Sequence, residues 1–463
     1  MWFEISEKII AHEATPAFHM WCQRWLILAN PDYIKKDRMG LWTGSTPQQI
    51  YLYEQVGQDV ILPAGCLAGI RRTFPDARLV DHRVGGNPYA YDSNIALYGY
   101  QDEAVKAAVE KGGGIMVAPC GSGKTQMGLE VVARIGVKAL WLTHTEDLLN
   151  QSMTRAQAVF NCPASGYGKI TGGKVKIGSG LTFATVQTMS KLDLPKYKDE
   201  WGCVVVDECH HCVGSPTRVM QFFKVISNLN ASHKYGLTAT PKRADGLESA
   251  MFSLLGGISY EVPREAVADT TCSVRVKTVR TGWMPSSAAF MGDGTVNYSA
   301  LVQDLVDDKR RTDVILDLIT SLPNDEPVLV LGCRVGHLMR MCKEMVEAGY
   351  QCQCISGAGK SKLAKEERKA ALGALDRGDI HFLFATYQLA KEGLDCPNLR
   401  HVILATPEKD PTTIQQAAGR VGRKADGKTV GTVWDIVDDF GMYLGWAKKR
   451  MAVYKKLGYG YDG

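Results

Sequence analysis

The stretch Ala118–Thr125 reads APCGSGKT, and it lies between an apolar run that begins at Ile115 and a helical pattern from Gln126 to Ile135. Glycines in such a turn let the backbone approach a phosphate, and the N–H groups at the start of the following helix point toward phosphate oxygens. The pattern therefore predicts a phosphate-binding loop between a strand and a helix.

The side chains of this loop have separate expected roles. We expect Lys124 to reach the β- and γ-phosphates of a nucleotide, and the hydroxyl of Thr125 to ligate Mg²⁺. Alanine stands at the first position, where the general pattern has glycine, and this variation leaves the phosphate cradle intact. The nucleotide-binding residues predicted in the loop are Ala118, Pro119, Cys120, Gly121, Ser122, Gly123, Lys124 and Thr125.

A pair of acidic residues follows the apolar run at 204–206. Asp207 and Glu208 come at the carboxyl end of this predicted strand, which is the edge where parallel α/β sheets bind ligands. We expect Asp207 to hold Mg²⁺ and Glu208 to polarise an attacking water. The next four residues read CHHC, so a zinc site is an alternative interpretation. Adjacent residues at a strand end cannot all converge on one metal ion, and this favours magnesium.

Short apolar runs alternate with helical patterns over most of the chain, which is typical of parallel strands covered by helices on both faces. The predicted strands are 115–118, 139–142, 181–184 and 204–206 in a first set, and 328–331, 351–355, 381–384 and 402–404 in a second. The second set has no Gly-rich phosphate loop of its own. We therefore expect one lobe to hold the phosphates and the other lobe to contribute different functional groups.

The length of 463 residues is too great for one hydrophobic core. We predict an α/β fold with two tandem parallel-sheet domains preceded by a small α/β accessory domain. The expected boundaries are 1–90 for the accessory domain, 91–260 for the first sheet domain, 261–300 for a linker or insertion and 301–463 for the second sheet domain.

Composition favours a globular protein in a reducing compartment. Hydrophobic residues make up 45% of the chain and charged residues 22%, and no apolar stretch approaches the length of a membrane span. The first residues lack the basic start and apolar run of a signal peptide. Thirteen scattered cysteines are typical of reduced thiols, and we expect a cytoplasmic protein. A net charge of +5 permits a polyanionic partner without establishing one.

Four further segments distinguish a nucleic-acid motor from other nucleotide-binding enzymes. Gln101 lies about twenty residues before the phosphate loop, and GLTATP occupies 236–241. The second lobe contains ATYQLAKEGLD at 385–395 and QAAGRVGR at 416–423. With the phosphate loop and the acidic pair, these segments resemble the motifs of superfamily 2 helicases over residues 95–440.

The resemblance implies two RecA-like lobes that hydrolyse ATP with Mg²⁺. It assigns Gln101, Gly393 and Asp395 to ATP binding, and Thr238 and Thr240 to coupling between the γ-phosphate and lobe movement. It also assigns catalytic roles to Gln416, Arg420 and Arg423. Two arginines spaced three residues apart on a helix lie on one face, and from the opposite lobe they would stabilise the transferring phosphate as arginine fingers do. Family members often have an arginine just before the glutamine, whereas Tyr100 stands at that position here.

The nucleic acid is expected to be DNA. Short polar side chains at loop ends suit contacts to phosphate oxygens that do not read sequence, and those in the strand-contacting positions are Thr143, Thr185, Gln187 and Thr386. Arg243 and Asp245 lie in a segment similar to the Arg-Glu-Asp element of XPB-like DNA repair helicases and their phage relatives. This resemblance implies unwinding or remodelling of duplex or branched DNA, with 3′ to 5′ polarity, in repair, recombination or replication. A phage-encoded member would act in the host cytoplasm. An RNA helicase, or a nucleic-acid-stimulated ATPase switch without strand separation, remains an alternative.

The N-terminal region also resembles the accessory module of phage-type members. Residues 1–95 hold nine Lys or Arg against ten Asp or Glu, so a generally basic surface is not evident. Only Lys35, Lys36, Arg38 and the pair Arg71 and Arg72 offer a basic patch. We expect the region to help engage duplex or junction DNA, with a purely structural platform as the alternative. For the basic run at 448–456, we expect aromatic residues packed on the lobe and solvated lysines.

Overall fold

The computed structural model describes residues 1–119, 121–212, 216–241, 246–355, 362–391 and 396–462. The chain forms two compact units, Met1–Ala266 and Val267–Gly463. No helix in the described part of the chain has the length and apolar composition of a membrane span.

The first unit begins with a small α/β part. Its elements are β1 (Trp2–Ile5), β2 (Lys8–His12), α1 (Pro16–Leu26), β3 (Ile27–Ala29), α2 (Pro31–Arg38), β4 (Gln49–Tyr51), β5 (Glu54–Val56), β6 (Asp59–Pro63), α3 (Leu67–Thr73) and β7 (Arg78–Asp81). Five strands form a mostly antiparallel sheet in the order β5-β6-β2-β1-β7, while β3 and β4 pair separately.

The rest of the first unit is a largely parallel sheet with helices. Its elements are α4 (Gly99–Lys111), β8 (Gly113–Val117), α5 (Lys124–Ile135), β9 (Ala139–Thr143), α6 (Glu146–Val159), β10 (Tyr167–Thr171), β11 (Lys174–Lys176), β12 (Leu181–Thr185), α7 (Val186–Met189), β13 (Cys203–Val206), α8 (Pro216–Ile226), β14 (His233–Thr238), α9 (Glu248–Leu255) and β15 (Ile258–Glu261). The strand order is β11-β10-β12-β9-β13-β14-β8-β15, and only β11 is antiparallel to its neighbour. Every residue of β9, β12 and β13 is buried, as expected for strands covered on both faces.

The small N-terminal part shares its core with this sheet. One continuous hydrophobic cluster runs from Phe3 to Leu255. An added Cβ on Gly65 would lie 2.6 Å from the backbone of Gly256. One on Gly202 would lie 1.9 Å from the carbonyl oxygen of Gly85, so glycine is required where the two backbones meet. The N-terminal part is thus packed into the first unit.

The second unit contains one further parallel sheet. Its elements are β16 (Ser273–Arg280), α10 (Tyr298–Asp307), α11 (Lys309–Thr320), β17 (Val328–Gly332), α12 (Val335–Glu347), β18 (Cys352–Ile355), α13 (Lys362–Arg377), β19 (Phe382–Thr386), α14 (Tyr387–Lys391), β20 (His401–Leu404), α15 (Pro411–Val421), β21 (Val430–Val437), α16 (Gly441–Lys456) and β22 (Gly460–Asp462). The strand order is β18-β19-β17-β20-β21-β16-β22. The predicted α/β class with two tandem parallel-sheet domains is confirmed.

The region 261–300 has more regular structure than a linker requires. Strand β16 lies within it and pairs with β21 over eight residues, from Ser273 with Val430 to Arg280 with Val437. Exposed Ser273 and Arg275 alternate with buried Val274 and Val276. This alternation is the sequence signal for a strand with one buried face.

Candidate nucleotide site and its connections

The phosphate loop has the backbone that its glycines predict. Gly121 and Gly123 have φ of 84° and 80°, in the left-handed region, and Gly123 is the N-cap residue of α5. Lys124 and Thr125 then occupy the first turn of this helix. An anion placed above the helix N-terminus would meet backbone N–H groups and the positive end of the helix dipole.

Gln101 supports this loop from α4. Its side chain is buried, its Nε2 donates to the carbonyl oxygen of Ser122 at 2.8 Å, and its Oε1 accepts from the N–H of Tyr98 at 3.0 Å. An added Cβ on Gly123 would lie 2.5 Å from Gln101 Nε2. Both ends of the amide are therefore engaged within the protein and hold the loop in place. Its recognition of adenine stays a prediction.

The two carboxylates lie at the carboxyl end of β13, as the sequence predicts. Glu208 Oε1 is 3.5 Å from Lys124 Nζ, and Asp207 Oδ2 accepts from Ser152 Oγ at 3.4 Å. Burial and the neighbouring charge of Glu208 raise the pKa of Asp207 to about 7, although Lys124 opposes the shift. The site is short of positive charge, and a divalent cation would correct this deficit, so the donor set fits Mg²⁺.

His210 connects the acidic pair to the next motif, a role that the sequence interpretation missed. Its Nδ1 is 3.2 Å from Glu208 Oε2 and 3.0 Å from Thr238 Oγ1. The hydroxyl of Thr238 also accepts from the N–H of Thr240 at 3.0 Å. Glu208 has a φ of 47°, unusual for a residue other than glycine. A contiguous series of contacts therefore runs from Lys124 to the Thr-Ala-Thr segment.

The positions of Cys209 and His210 argue against the alternative of a zinc site. Cys209 is fully buried, and its Sγ lies 3.5 Å from Met251 Sδ, so it packs into the core. His210 instead contacts Glu208 and Thr238. The two side chains contact different groups and do not converge on a common point.

Two of the predicted strand-contacting residues lie side by side in the first unit. Thr143 and Thr185 are paired at the carboxyl ends of β9 and β12. Gln187 lies two residues after Thr185, and its Nε2 donates to the carbonyl oxygen of His144 at 2.7 Å. The sheet register thus brings these polar groups to one edge, and their contact with nucleic acid stays a prediction.

In the second unit the arginine segment differs from the expected helix geometry. Helix α15 ends at Val421 with Gly422 as its C-cap, so Arg420 is in the last turn and Arg423 lies beyond the helix. Arg423 instead forms an isolated antiparallel bridge with Thr271. The expectation that both arginines lie on one helix is therefore wrong, since the helix ends between them. Gln416 is on α15, and Thr386 ends β19.

Five predicted site residues lie outside the described part of the chain: Cys120, Arg243, Asp245, Gly393 and Asp395.

The C-terminal basic run behaves as expected. In α16, Tyr443 and Tyr454 are buried, and Arg450 forms a buried ion pair with Asp435 at 2.7 Å. Lys448, Lys449, Lys455 and Lys456 are exposed.

Two family models match the chain. Residues 94–243 match the model described as type III restriction enzyme, res subunit, and residues 311–425 match the helicase conserved C-terminal domain. The first match contains the phosphate loop and the acidic pair. The second contains Gln416, Arg420 and Arg423.

Several individual relatives are named as helicases. A protein of Acanthamoeba polyphaga mimivirus, named as an ATP-dependent RNA helicase, is 27% identical over 77% of this chain and 66% of its own length. A helicase of Escherichia phage T5 is 25% identical over 73% of this chain and 71% of its own length. The DNA 3′-5′ helicase XPB of Mycobacterium tuberculosis is 24% identical over 79% of this chain and 65% of its own length. The chain thus spans about two thirds of these relatives.

A solved structure supports the fold. A fragment of an HsdR subunit of a type I restriction enzyme from Vibrio vulnificus aligns with 80% of this chain and 68% of its own chain, with a TM-score of 0.56 and 18% identity.

Proposed function

This chain belongs to superfamily 2 of helicases, within the group of XPB-like and phage enzymes, and from that membership we propose that it is an ATP-driven DNA helicase or translocase. It unwinds or remodels duplex or branched DNA with 3′ to 5′ polarity, in repair, recombination or replication. It acts in the cytoplasm, which is that of the bacterial host if the protein is phage-encoded.

The observation that carries this proposal is the chain of contacts through His210. A phosphate-binding loop alone is compatible with many nucleotide-hydrolysing enzymes. Here Lys124 contacts Glu208, Glu208 contacts His210, and His210 contacts Thr238. A change at the γ-phosphate would displace Lys124 or Glu208 and alter the hydrogen bonds of Thr238 and Thr240. A motor requires such a connection because it must convert nucleotide state into conformational change.

The chemistry of hydrolysis follows from the same residues. The N–H groups of the loop and Lys124 bind the phosphates and orient the γ-phosphate, and Gln101 fixes the loop. Thr125 and Asp207 would hold Mg²⁺, which neutralises charge on the phosphate oxygens when bound. Glu208 orients the attacking water and accepts its proton, and His210 holds the Glu208 carboxylate in place.

The second unit supplies the remaining groups in this proposal. Gln416, Arg420 and Arg423 act on the γ-phosphate, as the matching motif implies. Binding and hydrolysis of ATP would then shift the conformational equilibrium of the protein in turn. Gly393 and Asp395 complete the nucleotide contacts.

The choice of DNA rests on the XPB-like segment with Arg243 and Asp245 and on the name of the mycobacterial relative. Thr143, Thr185, Gln187 and Thr386 contact the phosphate backbone in this account. An RNA helicase is the second candidate, because the mimivirus relative is named for RNA.

The test is the steady-state ATPase rate without polymer and with single-stranded DNA, duplex DNA, forked DNA, a four-way junction and RNA. We expect the strongest stimulation by forked or junction DNA. The Glu208→Gln variant should lower kcat by about 10²–10⁴, the range for loss of a general base, while ATP binding persists because the loop is intact. Stimulation by RNA alone would support an RNA helicase instead of a DNA helicase. No stimulation by any polymer would refute both.

A further inference from the structure

A structured loop in the N-terminal part exposes a tryptophan beside a basic helix. The loop spans residues 39–48 between α2 and β4, and we call it the Trp42 loop. Trp42 is 89% exposed, and Met39 and Leu41 beside it are 61% and 53% exposed. Large apolar side chains grouped in this way on a surface commonly mark a binding site.

Several hydrogen bonds hold the Trp42 loop in one conformation. The N–H of Leu41 donates to the carbonyl oxygen of Lys36 at 2.9 Å, and Lys36 Nζ donates to Thr46 Oγ1 at 2.7 Å. At the far end, Asn30 Nδ2 donates to the carbonyl oxygen of Pro47 at 2.8 Å. The loop is thus fixed at both ends and presents Trp42 between them.

The indole ring itself lies against a glycine. Gly44 has a φ of 50°, and an added Cβ there would lie 2.9 Å from the Trp42 ring. This contact positions the ring without covering it. Folding therefore does not account for a tryptophan at this place, since almost none of its surface is buried.

Positive charge is concentrated in the same segment. Residues 24–53 hold four Lys or Arg and two Asp or Glu, whereas the rest of 1–95 holds five and eight. Helix α2 contains Lys35, Lys36 and Arg38 and has no buried residue. In the described residues these three cations form no ion pair with a carboxylate, and Lys36 instead contacts the Trp42 loop. Helix α2 also contains Asp32 and Asp37, so its three cations exceed its carboxylates by one. Cations without an ion pair beside an exposed aromatic ring fit a phosphate backbone with accessible bases.

We propose that the Trp42 loop and α2 form a nucleic-acid site in which Trp42 stacks on an unpaired base at a fork while Lys35, Lys36 and Arg38 bind the neighbouring phosphates. This deepens the proposed function and rests on it. A stacked base needs a free face, so the site prefers forks or single strands to blunt duplex. Base stacking tolerates any sequence, and the shared chemistry is present in DNA and RNA alike.

The experiment measures equilibrium binding of the full chain to fluorescent forks of DNA and of RNA, and to a blunt DNA duplex. Trp42→Ala should weaken fork binding by about tenfold, within the range for loss of one base stack, and should change duplex binding less. Trp42→Phe retains a ring and should recover most of the affinity. Met291→Ala truncates another exposed apolar side chain, in the second unit, and should bind as the unsubstituted chain does.

A salt series tests the cations independently. Lys35→Gln and Arg38→Gln should each reduce the slope of log affinity against log salt by about one, because each removes a phosphate contact. The preferred fork, DNA or RNA, identifies the polymer that the site binds. Unchanged fork affinity of Trp42→Ala and unchanged salt slopes, with polymer-stimulated hydrolysis intact, would overturn this inference alone. Failure of every polymer to stimulate hydrolysis in the unsubstituted chain would instead refute the proposed function.

Discussion

Replacement of Thr238 by valine tests the connection between hydrolysis and movement. Valine keeps the shape of the side chain and removes the hydroxyl, which is fully buried and contacts both His210 and Thr240. His210 retains its contact with Glu208, so the main group left without a partner is the N–H of Thr240. An unsatisfied buried donor costs about 1–3 kcal/mol, and the lower end applies because Thr240 is only half-buried. The protein should therefore remain folded.

The substitution should affect the coupling of ATP hydrolysis to strand separation more than it affects the free energy of unfolding. Coupling free energies between sites are typically about 1–3 kcal/mol, or roughly 5–150-fold. We expect Thr238→Val to reduce strand separation per ATP hydrolysed by at least about fivefold, while ATP hydrolysis falls less. The assay measures phosphate release and fork unwinding in the same reaction, with urea unfolding to confirm stability. Thr238→Ser keeps the hydroxyl and should retain coupling. Normal unwinding per ATP in the valine variant would show that the Thr238 hydroxyl does not couple hydrolysis to strand separation.

Three further perturbations follow from the described contacts. Gly123→Ala should weaken ATP binding by about tenfold or more, because φ is 80° and the new Cβ would lie 2.5 Å from an amide nitrogen; Gly172→Ala, with φ of 57° and open space, is the matched control in a nucleotide-binding titration. Asp438→Asn should lower the free energy of unfolding by about 3–5 kcal/mol in urea, because Arg311 is buried and 2.7 Å from that carboxylate; a loss below about 1 kcal/mol would show that the charge is solvated. Burial lowers the pKa of Lys234 to about 7, so between pH 7 and 10.5 the unfolded chain binds a proton that the folded chain does not. The contribution of Lys234 to the free energy of unfolding therefore rises with pH across that window and is least favourable below it. Lys234→Met should have a larger free energy of unfolding near pH 7 than the unsubstituted chain, and that free energy should depend less on pH.

Short sequence patterns predicted the phosphate loop and the strand that precedes Asp207. The phosphate loop depends on residues adjacent in sequence, and its glycines adopt the positive φ that the pattern requires. The strand ending before Asp207 was equally evident, because a buried parallel strand is a continuous apolar run. Both features are determined within about ten residues of chain.

Contacts between distant residues could not be predicted in the same way. His210 and Thr238 are 28 residues apart, and Ser152 and Asp207 are 55 apart, so only the strand order brings them together. The merging of the N-terminal part with the first sheet depends on close approaches such as Gly65 to Gly256, which no periodicity indicates. Exposure of Trp42 is likewise a property of tertiary packing.

One difference had a local cause that can be detected in the sequence. The alternation of Ser273, Val274, Arg275 and Val276 indicates a strand, although the surrounding segment 261–300 is irregular.

The most direct test of a DNA motor is strand separation on forked DNA with ATP, compared with a non-hydrolysable ATP analogue and with the Glu208→Gln variant. We expect ATP-dependent separation of a fork with a 3′ single-stranded tail, and none with the analogue or the variant. Polymer-stimulated hydrolysis without separation of any fork or junction would contradict it and would indicate an ATPase switch.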